Sequence, residues 1–301
     1  MNILIIGGSG HVSGAVARAA LTGKHRVWAV TRGKKPLAKG VKSLIADRHD
    51  SVALETVVTG QAMVWDMVVD CICYNLTDIR QDIELFRRRA KQFVLVSTDF
   101  VYNPARRKFP QSEETEHWEG LLDYGREKHL CEAELMSGAM GEVAWTIVRP
   151  CHIYGPTSEL GCLPLHLRNP GLIEKIQSGE PLKLVGGGYF LQQPILADDL
   201  AATIISFAGN RNAYRQTFNT AGPDILESRR YYEIIAGVLG AKLTIEEVPV
   251  SAYLAKHPEH APFMCHRIYD LKRLRDSGLS VPSTSIAEGL RRHTEGLLFK
   301  N

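Results

Sequence analysis

The feature that most limits how this chain folds is its opening stretch, where the apolar run Asn2–Ile6 passes directly into GGSGHVSGAVARAAL. A buried strand, a glycine-rich turn and a helix that opens inside the turn form the first unit of a dinucleotide-binding fold. Gly7 admits the tight turn. Gly10 lets the backbone approach a pyrophosphate, whose charge then rests on the amides and positive dipole of the helix start near Val12. Ser9, His11 and Val12 complete the candidate cofactor contacts on this turn. Ser13 stands where a third glycine is often found; it is small enough for close helix–strand packing, and Gly14 follows it.

The N-terminal half repeats the pattern. HRVWAVTRG reads as a second strand, Lys42–Ala46 as a third, Met67–Cys73 as a fourth and Gln92–Ser97 as a fifth, with helical spacing over Thr77–Arg89. Near-continuous apolar runs belong to strands covered on both faces. Strand and helix alternate, so the expected class is α/β: a Rossmann-type doubly wound parallel sheet with right-handed crossovers. After Pro156 the alternation breaks into Gly-, Pro- and Leu-rich sequence with a short helical run at Gly171–Gln177 and a glycine triplet at Gly186–Gly188, a composition that suits a mobile or substrate-shaped loop region. QTFNTAG and KLTIEEVPV read as strands. LADDLAATIISFAG reads as a helix capped by Asp198 or Asp199, and SIAEGLRRHTEGLL as one opened by Ser283 or Ser285. The expected division is a nucleotide-binding domain of 1–156 plus the return segment 193–220, interleaved with a smaller C-terminal α/β substrate lobe of 157–192 and 221–301.

Two sites carry chemistry. The second strand ends about twenty residues beyond Gly10, where an acidic residue would bind the ribose 2′-hydroxyl of NAD. Thr31, Arg32, Lys34 and Lys35 stand there instead, a group suited to a 2′-phosphate, so NADP(H) is favoured over NAD(H). Asp47, after the third strand, either contacts the adenine or caps the helix near Ser51. Further on, Tyr124 and Lys128 share one face of a helix that starts near YGREK and carries the apolar residues Leu130, Leu135 and Met136. An ammonium beside a phenol favours phenolate and lowers a pKa that starts near ~10. Ser97 and Thr98 fall at the carboxyl end of the fifth strand, the edge where open α/β sheets bind ligands.

GGSGHVSG, STDFVY, YGREK, VRPCHIYGP and LADDLA, in this order and at these distances, resemble the extended short-chain dehydrogenases/reductases, which include sugar-nucleotide epimerases and dehydratases. The resemblance covers essentially the whole chain. It implies that Thr98 hydrogen-bonds the reacting oxygen, that Tyr124 is the general acid–base, and that Lys128 lowers the tyrosine pKa and holds the nicotinamide ribose. It also implies cofactor contacts at Gly7, Gly10 and Asp47, and a 2′-phosphate contact at Arg32. Dehydratases follow Asp99 with a Glu. This chain has Phe100, a Thr-Asp-aromatic pattern closer to keto-sugar reductases. Gln192 and Gln193 stand where many members place an arginine for a nucleotide diphosphate, which leaves free sugars and sugar phosphates open, or Arg168 or Arg267 as the phosphate's holder. Asp99, Phe100, His152 and Gln192 are the candidate substrate residues, His152 being alternatively a structural histidine. The activity implied is hydride transfer at a carbinol or ketone carbon of a sugar or sugar-nucleotide. An NADPH-dependent keto-sugar reductase is the narrower alternative, and a non-catalytic NADP-sensing or RNA-binding relative the other. A homodimer is expected by resemblance.

Composition sets the remaining bounds. In 301 residues, 45% are hydrophobic and 23% charged, and the net charge of +3 is too small to make nucleic acid the main partner. The basic runs Arg87–Arg89 with Lys91 and Arg106–Lys108 read as solvated surface. MNILIIGGSG shows no secretory leader, no run is long enough to cross a membrane, and the six cysteines fit neither a zinc cluster nor a disulfide framework. A cytoplasmic enzyme without a metal is therefore expected, with Cys71 and Cys73 serving as small hydrophobes on the fourth strand.

Overall fold

The structure is a computed structural model that describes residues 1–114, 122–164 and 168–299; Leu121 and the end of the polar loop before it lie outside the described residues. The first half runs β1 (Asn2–Ile6), α1 (His11–Thr22), β2 (Arg26–Thr31), β3 (Lys42–Ile45), α2 (Ser51–Thr59), β4 (Met67–Asp70), α3 (Leu76–Phe86), β5 (Gln92–Val96), α4 (Asp123–Met136) and β6 (Ala144–Pro150). Then come β7 (Ile153–Tyr154), α5 (Leu172–Gln177), β8 (Leu182–Val185), β9 (Leu191–Gln192), β10 (Ile195–Leu196), α6 (Ala197–Ser206) and β11 (Gln216–Thr220). The chain ends with β12 (Leu226–Glu227), α7 (Ser228–Val238), β13 (Ile245–Val248), α8 (Val250–Leu254), α9 (Lys272–Asp276) and α10 (Ile286–Leu298).

Seven strands form one parallel sheet in the order β11-β6-β5-β4-β1-β2-β3. Successive strand residues point to opposite faces, and the packing follows. Ile3 and Ile5 join a core with Val16, Val27 and Ile204, whereas Leu4 and Ile6 join another with Trp28, Leu54 and Phe93. Both faces are thus covered, as a parallel sheet requires. The winding direction reverses between β1 and β4, which opens a crevice at their carboxyl ends. A third core, with Tyr154, Leu172, Leu184, Tyr231 and Leu290, unites the segments after β6. Tyr269, Leu271, Leu274 and Leu279 instead join the core of α1 and α6 under the main sheet, so part of the C-terminal third packs with the nucleotide-binding half. No helix among the described residues is long and apolar enough to cross a membrane.

Several local expectations are corrected. β4 ends at Asp70, not Cys73, because the Asp70 carboxylate accepts the Ile72 amide at 2.6 Å and Arg48 at 2.5 Å, which turns the chain off the sheet. Cys71 is thereby half-buried and Cys73 buried beyond the strand. Asp50 caps α2 by accepting from the Ala53 amide at 2.9 Å, while Asp47 accepts from the His49 amide at 3.0 Å and caps nothing. α6 has no side-chain cap. Asp199 instead accepts the Ser283 and Thr284 amides at 2.9 and 2.8 Å and ties down the approach to α10, which Ser285 caps. α4 buries Gly125, Lys128, Cys131, Glu132 and Leu135, leaving Leu130 and Met136 exposed. Its buried face is partly ionic, which an apolar count could not show.

Candidate active site

A cleft of about 660 Å³ opens at the carboxyl edge of the sheet. Its walls are the start of α1 from Gly10 to Ser13, the exits of β4, β5 and β6, the first turns of α4, and Arg168. The dinucleotide turn is built as its sequence requires. Gly7 and Gly8 both have φ +113°, and a Cβ on Gly8 would lie 2.5 Å from that of Ala29. Gly10 has an extended backbone, and its amide donates to Ser13 Oγ at 3.0 Å, so Ser13 completes the helix start in place of a glycine. Ser9 and Val12 are half-buried on this turn. The first turn of α1 carries no acidic residue, so its amides and dipole suit a pyrophosphate. At the end of β2, Thr31 Oγ1 accepts the Gly33 amide at 2.9 Å, and Arg32, Lys34 and Lys35 are exposed. Ala46 donates to Thr31 O at 3.1 Å, which sets Asp47 beside this basic group. These donors fit an anionic dinucleotide.

Tyr124 meets Thr98 through a close contact of α4 with the turn after β5. A Cβ on Gly125 would lie 2.2 Å from Phe100 O, so only glycine lets the helix approach this far. The Phe100 and Tyr124 rings are 6.1 Å apart at 67°. Thr98 Oγ1 accepts the Phe100 amide at 3.2 Å, and Thr98 and Tyr124 both line the cleft. Tyr124 is 45% exposed where it lines the cleft. Desolvation there, and then the neighbouring Tyr74 and Asp99, push its pKa up to about 12, with Thr98 opposing them. This direction corrects the expectation of a lowered phenol. Burial is the main cause, and the buried Lys128 ammonium donates instead to Cys73 O at 2.7 Å and Val96 O at 2.6 Å.

One turn after Lys128, Glu132 is fully buried and anchors the helix. It accepts from the Ser97 hydroxyl and from Arg149 Nη2 at 2.6 Å; Arg149 Nη1 donates to Tyr102 Oη at 3.0 Å, and Tyr102 donates to Asn219 Oδ1 at 2.5 Å. Glu132, Arg149 and Tyr102 escaped the sequence reading. The available signal was spacing, since Glu132 is four residues from Lys128 and shares its face.

The candidate substrate residues divide. Phe100 and His152 line the cleft. Asp99 also borders it but is committed elsewhere: it is buried and accepts from Arg267 and the Tyr269 hydroxyl, with Arg107 Nη2 at 3.2 Å. Burial alone would raise the Asp99 carboxyl, but the Arg267 and Arg107 guanidiniums outweigh it and hold it below the usual range. Arg267 lies over the Phe100 ring at 4.7 Å and is spent on this pair, which leaves Arg168 as the exposed cleft cation of the two arginines considered for a phosphate. Gln192 does not line the cleft. It is buried in β9, and its amide has no hydrogen-bond partner among the described residues. Its neighbour Gln193 accepts the Tyr269 amide and donates to Gly222 O, both at 2.9 Å. His11 Nδ1 lies 2.6 Å from Thr157 Oγ1. Burial, and then the charge of Arg168, lower both His11 and His152 to about 4, so both imidazoles are neutral at pH 7.

The family model described as NAD dependent epimerase/dehydratase family matches residues 3–221. The chain belongs to that family. This places it among nicotinamide-dependent oxidoreductases and epimerases. It is 26% identical over 235 residues to the chloroplast stem-loop binding protein of 41 kDa b of Arabidopsis thaliana, covering 73% of this chain and 58% of that protein. It is 26% identical over 286 residues to the 2′-dehydrokanamycin reductase of Streptomyces kanamyceticus, covering 90% of this chain and 77% of that enzyme. The fold superposes on a UDP-glucose 4-epimerase from Thermotoga maritima, crystallised with UDP-glucose, with a TM-score of 0.80 at 18% identity, over 100% of this chain and 99% of that one.

Proposed function

We propose that the chain transfers hydride between a nicotinamide cofactor and a carbinol or ketone carbon of a sugar-type substrate, and that it runs as an NADPH-dependent keto-sugar reductase. The observation that carries this reading is one cleft lined by Thr98, Tyr124 and Lys128 together with the start of α1. When bound, the nicotinamide supplies the hydride. Gly7, Ser9, Gly10, His11 and Val12 would hold the pyrophosphate at the α1 start. Thr31 and Arg32, with Lys34 and Lys35, would hold a 2′-phosphate, Asp47 the adenosine side and Lys128 the nicotinamide ribose.

The chain's own groups have roles that suit reduction. Thr98 and Tyr124 would both donate to one substrate oxygen. Tyr124 would give its proton to the oxygen that turns into a hydroxyl. Elimination chemistry lacks its acid–base pair, because Phe100 replaces a carboxylate and Asp99 is locked between two arginines. Likeness to a reductase supports the same direction. We take 157–192 and 221–301 as the substrate lobe, a homodimer as the assembly and the cytoplasm as the compartment, the last in keeping with six free cysteines.

A second reading rests on the likeness to a stem-loop binding protein: a relative that binds RNA without turnover. NADPH carrying deuterium at the transferred position, incubated with the chain and a panel of keto-sugars, separates the two. Deuterium at one carbinol carbon of a product supports the reductase. No transfer, with stem-loop affinity that falls steeply with salt, would sink it in favour of the RNA binder.

A further inference from the structure

Outside the cleft, one group of donor atoms has no part in the chemistry above. After α8, the sequence His257-Pro258-Glu259-His260 enters a 3₁₀ turn over Pro258–Phe263. His257 Nδ1 lies 3.5 Å and His260 Nε2 3.7 Å from the same Glu259 oxygen, Oε1. One donor atom from each of the three residues falls within 4.8 Å of the others. The two imidazoles stack with centroids 5.4 Å apart at 15°, and the Tyr253 ring lies 4.8 Å from His257 and 5.7 Å from His260. Tyr253 Oη is 2.7 Å from His260 Nδ1. That contact occupies Nδ1 and leaves Nε2 facing Glu259, the second-sphere arrangement that orients metal-ligating histidines.

We propose that His257, Glu259 and His260 bind a divalent transition-metal ion of the zinc class, with Tyr253 orienting His260. Two imidazole nitrogens and a carboxylate oxygen form a donor set suited to zinc, with a fourth position left for water. The three side chains are 45%, 62% and 39% exposed, so an ion enters from solvent without any opening of the fold. The contrast is the other group of clustered donors among the described residues, Asp70, Cys73 and Asp82. It is buried and already holds the Arg48 guanidinium, at 2.5 Å from Asp70 and 3.0 Å from Asp82, so its charge is met without a metal. The proposed site also has a structural reach. Phe263, on the same 3₁₀ turn, packs edge-on against His260 at 5.8 Å and against Phe100 at 5.8 Å, so an ion bound here braces the turn that covers one wall of the cleft.

Calorimetric titration of the untagged full chain with Zn²⁺ tests this. One equivalent is expected to bind, His257→Ala and His260→Ala each to weaken the affinity at least ~10-fold, and Tyr253→Phe to weaken it less. Circular dichroism of the variants confirms that these surface changes leave the fold intact. Independently of any variant, Cu²⁺ bound to the wild-type chain is expected to show two-nitrogen splitting by electron paramagnetic resonance, and Zn²⁺ to slow amide exchange across residues 253–264. Absence of saturable binding, or affinity unchanged in both histidine variants, overturns the proposal.

Discussion

Replacing Asp99 by Asn separates two roles for a carboxylate at the edge of the cleft. In the native chain it is 3% exposed and accepts from Arg267 and the Tyr269 hydroxyl, with Arg107 at 3.2 Å; the two arginine side chains are each 2% exposed. The substitution keeps the shape and leaves Arg267 without its carboxylate. Arg107 retains the Asp99 carbonyl at 3.0 Å and the Tyr269 hydroxyl at 3.1 Å. Breaking a buried pair by removing one partner costs about 3–5 kcal/mol, and these surviving bonds place the cost near the lower end. With a urea slope of about 3 kcal/mol/M for a chain this long, the unfolding midpoint falls by about 1 M. The pH dependence has a definite sign. The folded-state pKa of Asp99 is depressed, so its stabilisation is present above the unfolded value near ~4 and is lost as pH falls through the folded value. The gap between wild type and variant therefore narrows from pH 5 downward. An unchanged midpoint combined with lost turnover would refute this reasoning and make Asp99 a group that acts on substrate.

Other expectations follow from the same contacts. Arg32→Ser removes an exposed cation at the end of β2; NADPH affinity is expected to fall about 10-fold, or roughly 1.4 kcal/mol, with NADH affinity unchanged, as read by fluorescence titration. His152, held neutral to about pH 4, takes up no proton in the folded chain while the unfolded chain does so below ~6.5. Stability is therefore lost as pH falls from 6.5 to 4, and His152→Asn removes at most about 3 kcal/mol of that loss, measured by urea unfolding at each pH.

The doubly wound parallel sheet and the dinucleotide turn were legible because they are written locally: alternate residues of β1 feed opposite cores, and Gly7 and Gly8 carry a backbone that side chains disfavour. The positions of Thr98, Tyr124 and Lys128 near one cleft were legible from spacing and topology. What each does there was not. The true end of β4 depends on Arg48, which arrives from beyond β3, and the commitment of Asp99 depends on Arg267, 168 residues away. The raised Tyr124 pKa comes from burial, and Lys128 turns instead to two carbonyls, neither of which helical spacing encodes. Gln192 resembled a cleft residue because of its neighbours in sequence, yet the pairing of β9 with β12 sets it in the interior.

The central claim is that Tyr124 delivers the proton that accompanies hydride transfer. Its direct test is Tyr124→Phe, assayed as keto-sugar-dependent NADPH oxidation beside a titration of NADPH binding. The account predicts a rate lower by about 10²–10⁴-fold with NADPH affinity within a few-fold of wild type. Turnover that survives the loss of the hydroxyl would contradict it.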